Sequence, residues 1–336
     1  MQNLRFRFGI LFLILLLAFL ANISLGSVAI PLQATVKALL GSPLENNSWE
    51  YILFNYRLPK AVTAILVGGG LALSGLLMQT LFRNPLAGPF VLGISSGASL
   101  GAALLFMGAT VLGTYFFSDV SIIIAASLGS FLVLFVVLLV ANRVRDTMAL
   151  LIIGLMFGSI TAAIVSVLAY FTTAEQLQRF IFWSYGSVGD LSWNQNLLLA
   201  SVILLGIVLA IVCIKSLDAL LLGENYAQSL GVHLKRSRLV LIVATGLLAG
   251  SITAFAGPIA FVGLAVPHLT RQLFNTMSHG ILVPSVFMYG ALLMLVCDTI
   301  AQVPASAQVL PINAITSIIG APVVIWLLVR KRKMLF

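Results

Sequence analysis

The sequence predicts an all-helical integral membrane protein with ten transmembrane helices, and three observations carry that prediction. Of its 336 residues, 61% are hydrophobic and only 8% charged, whereas soluble domains carry about one charged residue in four. The apolar residues form continuous runs near the ~20 residues that cross a bilayer, with Gly inside them and no strand-like alternation. If each run reverses the chain, fourteen of the eighteen Lys and Arg fall on one side, as expected for cytoplasmic loops. The net charge of +9 therefore reads as topology and anionic headgroups, with no nucleic-acid partner. The runs lie at roughly 8–30, 57–81, 90–108, 119–141, 147–171, 193–214, 237–256, 259–277, 281–300 and 312–329, in one membrane domain covering 1–336.

Span 1 follows Arg5 and Arg7. Residues 1–26 have the layout of a secretory signal, but the apolar run continues toward Ile30, so a retained membrane helix is expected. After an outer polar stretch, 31–56, span 2 opens on Arg57-Leu58-Pro59-Lys60. Pro59 suits a first turn, and Arg57 and Lys60 share a helix face. Cations there oppose the helix dipole and call for a compensating partner or lipid phosphate. An Asn84-Pro85 turn leads to span 3, where Gly93-Ile94-Ser95-Ser96-Gly97 formally satisfies the serine-hydrolase nucleophile elbow. That elbow needs a strand–turn–helix. An intramembrane hydrolase with His268 as base is the alternative from another class, and interhelical hydrogen bonding of the serines is the expectation.

Three G-x-x-x-G pairs, Gly97/Gly101, Gly154/Gly158 and Gly246/Gly250, leave gaps on one helix face where backbones can approach. Beyond the outer stretch 172–192 and span 6, residues 215–237 are too polar to span. Within them Glu224 to Leu230 can form a short helix bounded by Gly223 and Gly231, with Ala227 small enough to enter a groove. Spans 7 and 8 are separated only at Gly257-Pro258. The triplet Ala256-Gly257-Pro258 echoes Ala87-Gly88-Pro89, which hints at an inverted repeat of spans 2–5 and 7–10. His268 reads as a neutral, hydrogen-bonded residue without companions for a metal site, and Arg271 as the cytoplasmic end of span 8. Asp298 is the one acid inside a span, expected in a shallow, partly hydrated position. Cys213 and Cys297, each within a span, suggest neither a disulfide nor a metal. The G-x-x-x-x-G-K-[ST] phosphate loop does not occur, so ATP would have to be bound by another subunit.

The segment 57–101, the run Leu92 to Ala98, residues 257–271, the Cys297-Asp298 pair and the tail 319–333 resemble the FecCD/BtuC-type permeases. These are the membrane subunits of ABC importers for iron chelates, haem and cobalamin. The resemblance implies a BtuC-like type II importer fold in the cytoplasmic membrane of a bacterium, with both termini cytoplasmic and no cofactor or metal of its own. It implies four kinds of partner: a second copy of the chain, two cytoplasmic ABC ATPase subunits, an extracytoplasmic substrate-binding protein and membrane lipid. Gly223, Glu224, Ala227, Leu230 and Gly231 match the family's GE-x-x-A-x-x-LG coupling loop, which seats in the ATPase. Arg57 and Lys60 match its docking site for the binding protein, with Lys60 replacing the usual Arg and Gln302 standing where some relatives carry another basic residue. Gly154 and Gly158 fall on the span that in the family lines the subunit interface and pathway. The implied cargo is a ferric siderophore, with haem or cobalamin as alternatives. A secondary transporter driven by an ion gradient is the competing transport reading, and only Asp298 is available to it.

Overall fold

The computed structural model describes residues 2–44, 46–112, 118–144, 146–302 and 308–329. Arg145 and the basic tail 330–333 lie outside them. All the regular structure among the described residues is helical. The first half runs α1 (Gln2–Ser24), α2 (Leu32–Leu39), α3 (Asn47–Ile52), α4 (Leu58–Leu81), α5 (Ile94–Leu112), α6 (Asp119–Arg143), α7 (Thr147–Phe171) and α8 (Ala174–Ser184). The second half runs α9 (Trp193–Val212), α10 (Ile214–Leu221), α11 (Glu224–Ser229), α12 (Leu234–Thr245), α13 (Ser251–Ala256), α14 (Val262–Phe274), α15 (His279–Ala301) and α16 (Ile312–Val329).

Among the described residues, seven helical segments are long and apolar enough to cross a membrane: Leu4–Ser24, Asn47–Leu81, Val120–Arg143, Met148–Phe171, Trp193–Val212, Leu234–Ala256 and His279–Ala301. Of the other three predicted spans, only 259–277 is clearly shorter than expected. α5 has 19 residues and starts four residues later than predicted, α16 has 18 and coincides with the predicted 312–329, whereas α14 has only 13. That is about 20 Å of helix against a ~30 Å hydrocarbon core. Non-helical backbone precedes both helices: a 3-10 turn at Pro89–Leu92 delays the start of α5, and Gly257 and Phe261 take positive φ before the shortened α14. Such backbone is tolerated at membrane depth where protein surrounds it, and Pro89, Ala256, Gly257 and Ile259 are buried.

Two of the stretches read as polar interruptions fold into surface helices. Asn46, whose side chain accepts from the Ser48 N–H, starts α3, and Thr173 caps α8 the same way onto Gln176. The helix of span 2 therefore begins at Asn47, ten residues before the predicted start. A widened π turn, Leu53–Arg57, joins α3 to α4. It falls where Pro59 has no N–H to offer the preceding turn and would crowd it.

The centre of the bundle is α4, buried along nearly its whole length, with α12–α13 as the second buried segment. Packing partners are reciprocal between the halves: α4 lies on α14 and α15, while α12–α13 and their linking turn lie on α5 and α6. Likewise α5 packs against α7, and α14 against α16. This is the pairing that an inverted repeat of spans 2–5 and 7–10 produces. Glycines set the closest approaches. A Cβ on Gly68 would collide with the Gly290 carbonyl, and one on Gly290 with the Gly68 carbonyl, so α4 and α15 cross backbone to backbone. Gly75 faces the Gly263 carbonyl of α14, and Gly97 and Gly101 face Gly129 and Ala125 of α6.

Overpacking such crossings costs about 1–3 kcal/mol. Gly68→Leu and Gly290→Leu should therefore lower the thermal unfolding midpoint of the purified protein clearly. Gly9→Ala, at a position with nothing nearby, should leave it within experimental error.

Candidate functional site

Polar side chains cluster at both ends of the α4–α15 pair. At the end where α4 begins, Lys60 Nζ lies 3.1 Å from Asp298 Oδ1. The second carboxylate oxygen of Asp298 accepts from Asn22 Nδ2 at 2.9 Å and from Gln302 Nε2 at 2.8 Å. Asp298 is 2% exposed, not shallow and partly hydrated as expected. A buried carboxylate persists when paired and hydrogen-bonded, and these three neighbours do both. Arg57 is also buried. Its Nη1 donates to the carbonyls of Ile23 at 2.9 Å and Ser24 at 2.7 Å, and its Nη2 to that of Val28. Arg57 thereby satisfies the carbonyls at the end of α1, which a helix terminus leaves open. The basic pair read as an exposed docking surface is thus engaged inside the subunit, with Lys60 partly open. It lines a cavity of about 690 Å³ together with Asp190, Gln302 and Tyr56.

The opposite end carries the loop 215–237. Gly223 at φ +106° and Gly231 at φ +84° bracket α11, in conformations that glycine alone adopts without strain. Ala227 is fully buried against the subunit's own core, rather than presented to a groove elsewhere. The reason is local: Val232 N–H donates to the Ala227 carbonyl at 3.0 Å, which folds the chain back beneath α11. Glu224 Oε1 pairs with Arg238 Nη2 at 3.1 Å, and Arg238 Nη1 donates to the Val144 carbonyl at 3.2 Å. These contacts fasten the loop to α12 and to the end of α6. The outward side is formed instead by Leu222, Tyr226 and Leu230, all more than half exposed. Leu222 and Tyr226 line a cavity of about 600 Å³ with Gly223 and Arg83. Leu222 and Tyr226 were missed in the sequence, since six residues of helix give no cue to which face is covered.

Gly154 lies against Val91 and Leu92, and Gly158 against Ser96 Oγ, so the glycine face of α7 packs within the subunit. Its other face is an exposed apolar stripe that includes Ile152, Met156, Ile160 and Val167. Ser95 Oγ lies 3.0 Å from Thr253 Oγ1 on α13, whereas His268 Nε2 lies 2.8 Å from the Pro85 carbonyl. Serine and histidine have separate partners, and the residues 93–97 start a helix rather than follow a strand. The hydrolase geometry does not form.

Residues 14–330 match the FecCD transport family. The vitamin B12 import system permease BtuC of Klebsiella pneumoniae subsp. pneumoniae is 38% identical over 333 residues, 98% of this chain and 95% of that protein. The hemin transport system permease HmuU of Yersinia pestis is 33% identical, across 98% of this chain and 97% of its own. A solved transporter described as of metal-chelate ABC type, in an inward-facing conformation, superposes with a TM-score of 0.85 at 31% identity, covering 98% of this chain and 99% of that one.

Removing one partner of a buried ion pair strands the other charge, at a cost of about 3 kcal/mol. Lys60→Met should destabilise the purified protein by that order in denaturant or thermal unfolding. Adding Asp298→Asn, which removes the charge but keeps an acceptor for Asn22 and Gln302, should recover most of the loss; equal instability of the double variant would refute the pairing.

Proposed function

This chain belongs to the FecCD transport family and is the permease of an ABC importer, and we propose that it passes an organic metal chelate across the bacterial cytoplasmic membrane under the drive of separate ATPase subunits. The observation that carries this reading is the loop 215–237. It is pinned from within by Ala227 and the Glu224–Arg238 pair, yet shows Leu222, Tyr226 and Leu230 outward. A partner that covers this side can push on α10–α12 as a unit. The sequence has no phosphate-binding loop of its own, so the partner is the nucleotide-binding subunit. The excess of basic residues in the loops assigned to that side from the sequence supports a cytoplasmic location for it and for both termini.

Two copies would enclose the pathway, and two ATPase subunits would seat on the two loops. The binding protein would deliver its load at the far end, where Lys60 borders the 690 Å³ cavity and Gln302 stands in place of a further cation. With Arg57 and Lys60 already engaged, docking would rely on fewer free charges than the sequence suggests. The two conformations bind cargo with different free energies, and nucleotide shifts the population between them.

A ferric siderophore remains a proposed cargo. The similarity to permeases named for vitamin B12 and hemin supports a second reading, a macrocyclic metal chelate. Uptake into vesicles holding the permease with its ATPase and binding protein, measured for cobalamin, haem and a ferric siderophore, separates the two. Whichever cargo is carried, uptake should require ATP, and Tyr226→Asp should reduce it by about tenfold or more, since a charge in a buried contact centre costs over 1.4 kcal/mol. Full uptake by Tyr226→Asp, or uptake without ATP, would overturn the reading.

A further inference from the structure

At the loop end of the bundle, α10 is tied to the start of α15 and the end of α4 by three side chains. Asp218 on α10 accepts, through Oδ1, from the backbone N–H of His279 at 2.8 Å and from its Nδ1–H at 2.7 Å. The other ring nitrogen, Nε2, lies 2.9 Å from Thr80 Oγ1 in the last turn of α4. His279 is fully buried, while the Asp218 side chain is 41% exposed. Ser278, the residue in cap position for α15, makes no side-chain cap bond. A carboxylate from another helix therefore does the capping, satisfying an open N–H and placing negative charge at the positive end of the α15 dipole.

The location gives this cluster its meaning. Asp218 stands five residues before Gly223 on the helix that carries the outward side of the loop. Thr80 and His279 sit at the ends of the two helices that cross backbone to backbone at Gly68 and Gly290. Beside the apolar packing, the Asp218–His279 contact is a polar joint by which α10 grips that pair. We propose that Asp218 and His279 are positioning residues for coupling: they make displacement of the loop displace α4 and α15 together. Without them, α10 would slide on an apolar seam that resists motion along it weakly. The proposal rests on the reading of the loop as the ATPase seat and deepens it.

The test uses the assembled permease, ATPase and binding protein in vesicles, and reads cargo molecules taken up per ATP hydrolysed. Asp218→Ala removes a half-exposed side chain, and it should cut that ratio by about tenfold, the scale of coupling energies carried by single contacts. His279→Ala should do the same. His279→Asn, whose amide can still donate to Asp218 from near the Nδ1 position, should restore most of it. A merely stabilising cap would change the unfolding temperature and leave the ratio alone. A wild-type ratio in Asp218→Ala overturns the proposal, as does a His279→Asn ratio no better than that of His279→Ala. If Tyr226→Asp in the same assay keeps full uptake, the loop reading itself has failed. If Tyr226→Asp fails to take up cargo while Asp218→Ala is normal, only the joint has.

Discussion

The contact on which the molecule depends is the crossing of α4 and α15 at Gly68 and Gly290, where each backbone occupies the space a side chain would need. In lipid the usual hydrophobic drive between helices is weak, so close van der Waals packing and buried hydrogen bonds carry association. This pair has both. The glycines bring the axes together in the middle, Lys60–Asp298 joins one end, and Thr80–His279 joins the other. Further ties enlist α14, where Arg271 Nη1 donates to Gln79 Oε1 at 2.8 Å and Gln79 Nε2 donates to the Leu264 carbonyl at 3.1 Å. The result is a three-helix unit fixed at several levels, surrounded by helices such as α1 and α7 whose outer faces are largely exposed.

Such a unit suits an importer permease driven from one side. A bistable machine needs rigid parts whose relative placement changes, because packed interiors do not deform continuously. The loop 215–237 touches the unit at its end rather than along its length. On the proposed coupling, displacement there would become displacement of whole helices, and this would require no charge to cross the bilayer. The buried ions serve the same economy: Asp298 and Lys60 neutralise each other within the bundle.

Much of this was legible in the sequence. Continuous apolar runs coincide with the seven long apolar helices, and Gly223 and Gly231 marked the ends of α11 because a positive φ selects glycine. Of the G-x-x-x-G glycines, Gly97, Gly101 and Gly154 meet a neighbouring backbone, whereas Gly158, Gly246 and Gly250 meet side chains. What escaped reading has physical causes. The span at 90–108 was started four residues early and the helix at 259–277 was overestimated, because hydropathy registers apolar character and is blind to the turns at Pro89 and Phe261. Asp298 looked hydrated because its partners Lys60 and Asn22 come from distant spans, and pairing across a fold leaves no local signature. Arg57 looked free because nothing in its neighbourhood announced that the carbonyls of Ile23 and Ser24 would need it. Ala227 looked outward for want of any cue to the face of a two-turn helix.

The most direct test of this account measures distances by spin labels in the assembled transporter, with and without ATP. Labels at Tyr56 and Ile300, exposed positions beside the Lys60 end of α4 and α15, should keep their separation when nucleotide binds. The separation between Ile300 and Tyr170, at the end of α7, should change by several ångström, the scale of helix shifts in switching proteins. If the first distance changes as much as the second, α4 and α15 do not move as one body, and the account is wrong.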